Sequence, residues 1–247
     1  MPSKDSIAIQ KSSVKWIALI VVAFAVGYLA GGSFSIIPKG STAPVQPGSP
    51  SAPSQPQAPQ QPTIAKFDVP SYAPFKGSSS AKISFIEFGD YQCPFCERFF
   101  TGSESQIIKD YVDTGKVKFY FLDFQFLGPD SQTLGVGAWC ANEQGKYYDF
   151  HDYIYSHQGQ ENSGWATADK VKTLAANIKG LDAQKFNSCL DSNKYVSRVQ
   201  ELTQLGQTNG VSGTPSFFVG SSDKGYTPDV GAKPYASFKQ LIDTQLA

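Results

Sequence analysis

Hydrophobic and polar positions divide the chain into three stretches. From Trp16 to Ile37 no residue is charged and most are apolar, an unbroken run of 22 residues. A membrane-crossing helix needs about 20 such residues, whereas the apolar part of a cleaved export signal usually has about 7–15. No small-x-small cleavage site precedes the end of the run, so an uncleaved transmembrane anchor is expected at 16–37. Lys4, Lys11 and Lys15 precede it and only Lys39 follows closely. Excess lysine stays in the cytoplasm, which assigns 1–15 to that side and the C-terminal bulk to the outside. A cleaved signal would export the same bulk. Between Pro38 and Pro62 the periodicity disappears: eight of the sixteen prolines lie here, and no charge occurs between Lys39 and Lys66. Such a segment buries too little apolar surface to fold and favours extended backbone. A linker is expected at 38–65, either a functional stalk or a passive spacer.

Regular patterning begins after it. Ile83–Phe88 is short, apolar and β-branched or aromatic, which predicts a buried strand. Phe99, Phe100, Ile107, Ile108 and Tyr111 then recur at helical spacing, and Val117–Phe124 predicts a second strand. Helix-like runs follow around 131–143, 146–157, 167–178, 182–190 and 195–209, with Thr167 and Gly180 as start and stop signals. A strand at Ser216–Val219, a hairpin to Val230 and a helix from about Pro234 complete the chain. The pattern is one α/β domain over 66–247 with a helical insert at about 128–210. Tyr147, Tyr148, Phe150, Tyr153, Ile154 and Tyr155 crowd one run, which reads as a core face.

Composition narrows the function. Lysine plus arginine and aspartate plus glutamate number 21 each, so no nucleic-acid footprint is expected. The only histidines, His151 and His157, are six apart and share no helix face. Each therefore reads as a hydrogen-bonded helix histidine rather than half of a metal pair, and Asp149 and Asp152 read as solvated. The four cysteines are too few for a disulfide scaffold. Cys93-Pro94-Phe95-Cys96 sits between strand and helix, where dithiol chemistry requires it. Cys93 at the helix N-cap would face unpaired N–H groups and the positive dipole end, which stabilise a thiolate. Pro94 suits the first turn, and Cys96, one turn on, is shielded.

Phe88-Gly89-Asp90-Tyr91-Gln92-Cys93-Pro94-Phe95-Cys96 resembles the active-site segment of DsbA-like thiol–disulfide oxidoreductases of the thioredoxin superfamily. The resemblance continues through Ala138–Lys146, Phe150-His151-Asp152, Phe186–Ser192 and Val211–Gly220, and covers 66–247. It implies a thioredoxin fold with an inserted helical domain, here in a membrane-anchored form. It also implies a cis bond before Pro215, facing the cysteines, with the backbone of Thr214 turned outward to a substrate strand. Glu87, six residues before Cys93, is implied to be a buried carboxylate that relays a proton to or from Cys96. A carboxyl in an apolar strand has a raised pKa suited to that task; an exposed strand-end glutamate is the alternative. Glu97 reads as a solvated helix residue. Many strongly oxidising members carry Pro-His where this chain has Pro94-Phe95. Phe95 offers the thiolate neither charge nor hydrogen bond, so a milder oxidant is expected.

Cys140 and Cys189 each fall in a helical run. In an exported domain with an even cysteine count they predict a structural disulfide, with two buried thiols or a second redox pair as alternatives. The expected function is disulfide formation in exported proteins through Cys93–Cys96, with reduced or unfolded exported proteins as clients and a membrane oxidase for regeneration. No cofactor is required. Two readings stay open beside it: a disulfide reductase or isomerase, and a module binding a soft ion, Cu(I) or Zn, at Cys93 and Cys96. Four-coordinate zinc would need two further ligands, and no second Cys-x-x-Cys or histidine pair supplies them.

Overall fold

A computed structural model describes residues 64–247. The anchor expected at 16–37, the segment 1–15 and nearly all of the linker expected at 38–65 lie outside the described residues. Among the described residues no helix is long and apolar enough to cross a membrane. Pairing begins at Ala65, which exchanges backbone hydrogen bonds with Tyr226, one residue before the boundary expected at 66.

Five strands form one sheet: β1 (Phe75–Lys76), β2 (Ile83–Gly89), β3 (Val117–Asp123), β4 (Ser216–Ser221) and β5 (Gly225–Val230), in the order β1-β3-β2-β4-β5. β2 and β3 are parallel, and the other pairings are antiparallel. Strand β2 is buried along its whole length, as expected of a central strand covered on both faces, and this is why apolar residues occupy both of its faces rather than alternating with polar ones, Ser84 and Glu87 being its polar members. Strand β1, only two residues long, carries no readable period and was not foreseen.

Alternation along the strands sorts the aromatic residues into two layers. On one face Phe85, Phe119 and Phe217 meet Phe99 and Phe238. Phe99 belongs to α1 (Pro94–Phe99), which continues through a π-helical turn at Phe100–Glu104, a turn at Ser105–Ile107 and a second π-helical stretch at Ile108–Val112. Phe238 belongs to the last helix. On the other face Phe88 and Phe218 pack on Phe67. Between β3 and β4 the chain forms α2 (Pro129–Asn142), α3 (Tyr147–Ser156), α4 (Ala168–Ala175), α5 (Ala183–Asp191) and α6 (Val196–Thr208); α7 (Tyr235–Leu246) closes the chain. Helix α6 approaches the sheet closely because Gly206 has no side chain: a Cβ there would lie 2.6 Å from Phe124 and 3.0 Å from Phe88.

Tyr147, Phe150, Ile154 and Tyr155 of α3 are buried. A disulfide joins Cys140 of α2 to Cys189 of α5, with Cα atoms 5.7 Å apart and a sequence separation of 49. Closing a loop of that length removes chain entropy worth about 4 kcal/mol. The double variant Cys140→Ala/Cys189→Ala is therefore expected to lose on the order of 4 kcal/mol of unfolding free energy in denaturant titration, with an unchanged far-ultraviolet spectrum at low denaturant.

Candidate active site

Strand β2 ends at Gly89, and the following Asp90 anchors the loop to the cysteines. Its carboxylate accepts hydrogen bonds from the backbone N–H groups of Gln92, Phe126 and Leu127 and from the Ser131 hydroxyl, at 2.7–3.1 Å. Ser131 also accepts from the Gln92 side chain, whose oxygen takes the N–H of Asn162. Gln158 donates to the carbonyls of Tyr91 at 2.8 Å and Cys93 at 3.2 Å. The helical insert thus grips the active-site loop on two sides. Gly89 leaves room for the Phe121 ring, which a Cβ would approach to 2.3 Å.

Cys93 is the N-cap residue of α1, with extended backbone and Pro94 next to it. Its carbonyl accepts from the N–H groups of Cys96 and Glu97. Both cysteines are thiols; Cys93 is 5% exposed and Cys96 fully buried. The Thr214–Pro215 bond is cis, and the Thr214 carbonyl lies 3.3 Å from Cys93 Sγ, which donates to it. The Thr214 hydroxyl is buried without a partner, so once Cys93 ionises that hydroxyl is free to donate to it. Phe95 is 51% exposed, with the Arg98 guanidinium over its ring.

The two sulfurs experience opposite fields. Hydrogen bonding by the Cys96 thiol, helped by Thr214 and by the backbone N–H groups of Cys96 and Phe95, outweighs burial and lowers the Cys93 pKa to about 6. Phe95 contributes its backbone N–H and no side-chain charge. Burial, reinforced by the Cys93 thiolate and by Glu87, pushes Cys96 well above the ordinary thiol value.

Beneath Cys96 lies Glu87, 1% exposed, between Phe121 of β3 and Phe217 of β4 in register. Burial, then the nearby Glu104 and Cys93 charges, raise its pKa well above the carboxylate range. The exposed strand-end alternative is excluded. Burial likewise raises Glu104, against the pull of His151 and Lys76. Glu104 was not foreseen: it lies four residues after Phe100 and three before Ile107, on the apolar face of the helix, and helical spacing does not say what a carboxyl on that face meets.

His151 corrects an expectation. It is fully buried, and although its Nδ1 lies 2.8 Å from Asp152, its Nε2 has no partner. Asp152 is not simply solvated either: it also binds the Lys76 ammonium at 3.1 Å. The potential ligand atoms of Glu87, Glu104 and His151 lie within 4.8 Å of one another. The cation beside them is Lys76 itself, 3.6 Å from Glu104. Among the described residues no third histidine, cysteine or carboxylate joins Cys93 and Cys96 in a metal-sized group, so a soft-ion site at the dithiol finds no support.

A helix-capping dithiol beside a Thr-Pro turn, on a sheet interrupted by a helical insert, is the architecture of a DsbA-like thiol–disulfide oxidoreductase, and the chain is one. The model of the family described as "Thioredoxin" matches residues 71–244, and the chain belongs to that family. It is 29% identical over 174 residues to a "Probable disulfide bond formation protein D" of Bacillus anthracis, covering 69% of this chain and 76% of that protein. It is 26% identical to the "Disulfide bond formation protein D" of Bacillus subtilis, covering 69% and 74%. The fold is similar to that of oxidised BdbD from Bacillus subtilis, with a TM-score of 0.67 and 24% identity over 75% of this chain and 99% of that one.

The unequal sulfurs predict unequal alkylation. Iodoacetamide labelling of the reduced protein is expected to follow a titration midpoint near pH 6 at Cys93 and to leave Cys96 unmodified through neutral pH. Thr214→Val should move the Cys93 midpoint upward, toward the free-thiol range. Peptide mass spectrometry of samples quenched between pH 4 and 9 reads both effects; equal labelling of the two cysteines would contradict them.

Proposed function

We propose that the chain is an extracytoplasmic oxidase that gives its Cys93–Cys96 disulfide to exported proteins. The observation that carries this reading is the asymmetry of the dithiol: a low-pKa Cys93 at the helix end and a high-pKa Cys96 buried over Glu87. A client thiolate attacks Cys93 Sγ, forming the mixed disulfide and expelling Cys96 as a thiolate, which takes a proton from Glu87. The client's second thiolate then attacks the client sulfur, closing the client disulfide and releasing Cys93 as a thiolate. A low-pKa thiol is the better leaving group, so this second step runs in the oxidising direction. The two electrons remain on the dithiol until an oxidase in the membrane removes them.

Thr214 and Pro215 are assigned to client docking, with the Thr214 backbone beside Cys93 as the edge that a client strand pairs with. Residues 16–37 are assigned to the anchor, and 38–65 to the linker that holds the domain clear of the bilayer. No cofactor takes part in these steps. A weaker thiolate makes a weaker oxidant, and Phe95 supplies no side-chain stabilisation, so the reductase or isomerase reading stays in the test.

A thiol pKa of about 6 lies between those of thioredoxin, about 7, and DsbA, about 3.5. The reduction potential is expected between their values of about −270 and about −120 mV, measured in glutathione buffers. Cys96→Ser with Cys93 first activated as a mixed disulfide by an aromatic disulfide reagent should trap reduced exported proteins on Cys93 as the aromatic thiol leaves, and Cys93→Ser treated the same way should trap none. A potential at or below about −270 mV, with no trapped clients, would reverse the assigned direction. Full-length protein should remain in carbonate-washed membranes, and release by the wash would remove the anchor.

A further inference from the structure

The mechanism above uses Glu87 but leaves two buried polar neighbours of it, Glu104 and His151, without a task. Glu87 has both carboxyl oxygens unpartnered, Glu104 has Oε2 unpartnered, and His151 has Nε2 unpartnered. Each residue offers an atom within 4.8 Å of the other two. Water is kept from them by Phe100, Phe121, Tyr148 and Tyr155, whose rings surround the imidazole at centroid distances of 4.8–5.8 Å. Unpaired polar groups in such a site are costly, and the cost falls when one of them donates a proton to another.

The imidazole is held for that exchange. Its Nδ1 lies 2.8 Å from Asp152 Oδ1, and Asp152 is bound by Lys76. An Nδ1–H directed at a carboxylate fixes the tautomer and leaves Nε2 as the basic atom. A ring nitrogen of His151 and a carboxyl oxygen of each glutamate lie within 4.8 Å of one another. Burial pushes Asp152 up, but the His151 hydrogen bond and the charge and hydrogen bond of Lys76 offset it and keep Asp152 below the usual carboxylate value. The arrangement is that of a base oriented by a third group, contributed by the helical insert to a cysteine of the thioredoxin half.

We propose that the His151–Asp152 pair is the base that receives the Cys96 proton through Glu87 and returns it when Cys96 is expelled. The proposal rests on the reading of Glu87 as the acid–base group. When Cys96 must attack, the Glu87 proton passes to His151 Nε2. The resulting Glu87 carboxylate takes the Cys96 S–H proton, and the thiolate attacks Cys93 Sγ of the mixed disulfide, expelling the partner thiolate. The net change before attack is one proton moved from Cys96 to His151; no electrons move until the sulfurs exchange. The imidazolium is balanced by Asp152. When a client later expels Cys96 as a thiolate, the same proton returns along the same path. His151 touches no reacting sulfur in this scheme and acts through Glu87. The titratable groups facing it are Glu87 from β2, Glu104 from the π-helical turn, Tyr91 from the active-site loop, and Asp152, Tyr148 and Tyr155 from its own helix. Lys76 of β1 reaches it through Asp152.

The test separates the Cys96 step from Cys93 reactivity. Full-length protein carrying a glutathione mixed disulfide on Cys93 is formed at low pH, jumped to pH 5–9, and glutathione release by Cys96 is timed. His151→Gln is expected to slow release about a hundredfold near neutrality, the low end of what a placed base contributes, while the pH profile of Cys93 alkylation in the reduced protein stays unchanged. Asp152→Asn leaves the buried ring in place and weakens it as a base. It should slow release on the order of tenfold and move the pH limb of the rate toward lower pH. Glu87→Gln is the reference. If it slows release while both His151→Gln and Asp152→Asn keep the native rate and profile, the His151–Asp152 assignment is overturned and Glu87 stands. If Glu87→Gln releases glutathione at the native rate, the reading of Glu87 fails, and the proposal fails with it.

Discussion

Cys93 and Cys96 are two thiols in one small volume, and ionisation meets opposite surroundings at each. At Cys93 the charge that appears is met by the Cys96 thiol, the Thr214 hydroxyl and two backbone N–H groups at the start of a helix. At Cys96 it is met by burial and by a carboxyl group. In the proposed oxidation the direction of electron flow depends on that inequality, because a disulfide is a stronger oxidant the more its reduced form is stabilised. A symmetric environment would store no preference. The helix end supplies one half of the inequality and the apolar interior the other. Strand β2 connects them, because it places Glu87 under Cys96 and delivers the chain to Cys93 within six residues.

Holding that geometry requires a rigid loop between strand and helix. Asp90 supplies it by converting four donors from two segments of chain into one knot. Despite these hydrogen bonds its pKa is raised, by burial, so the knot persists only while the donors stay in place. Ser131, Asn162 and Gln158 come from the insert, which makes the helical domain part of the active site rather than an ornament on it. The disulfide between α2 and α5 braces the same insert some distance away.

Much of this was legible in the sequence because it depends on local patterning. Ile83–Phe88 reads as a strand because a doubly covered strand has no polar face, and Cys93-Pro94-Phe95-Cys96 reads as a helix start because proline tolerates only the first turn. The insert helices were found within a few residues by their apolar periodicity. Glu104 and His151 were missed for different reasons. Glu104 shares the helix face of Phe100, Ile107 and Tyr111, but a lone carboxyl on that face gives no sign of what it packs against. His151 sits in a crowd of aromatic residues that reads as a core face, and nothing local says that its ring lies within 4.8 Å of carboxyl groups from β2 and the helix after Cys96.

The sequence by itself determined the candidate reactive pair, the succession of strands and helices from β2 onward, and the family resemblance at Thr214-Pro215. These depend on neighbours in the chain and on side-chain chemistry that travels with each residue. Only the tertiary structure decided which polar groups would share one dry space. Lys76, Glu87, Glu104, His151 and Asp152 are spread over 77 positions of sequence, and their protonation depends on mutual distance and exclusion of water. Both are properties of the packed interior, where burial raises the energy of any charge that has no partner.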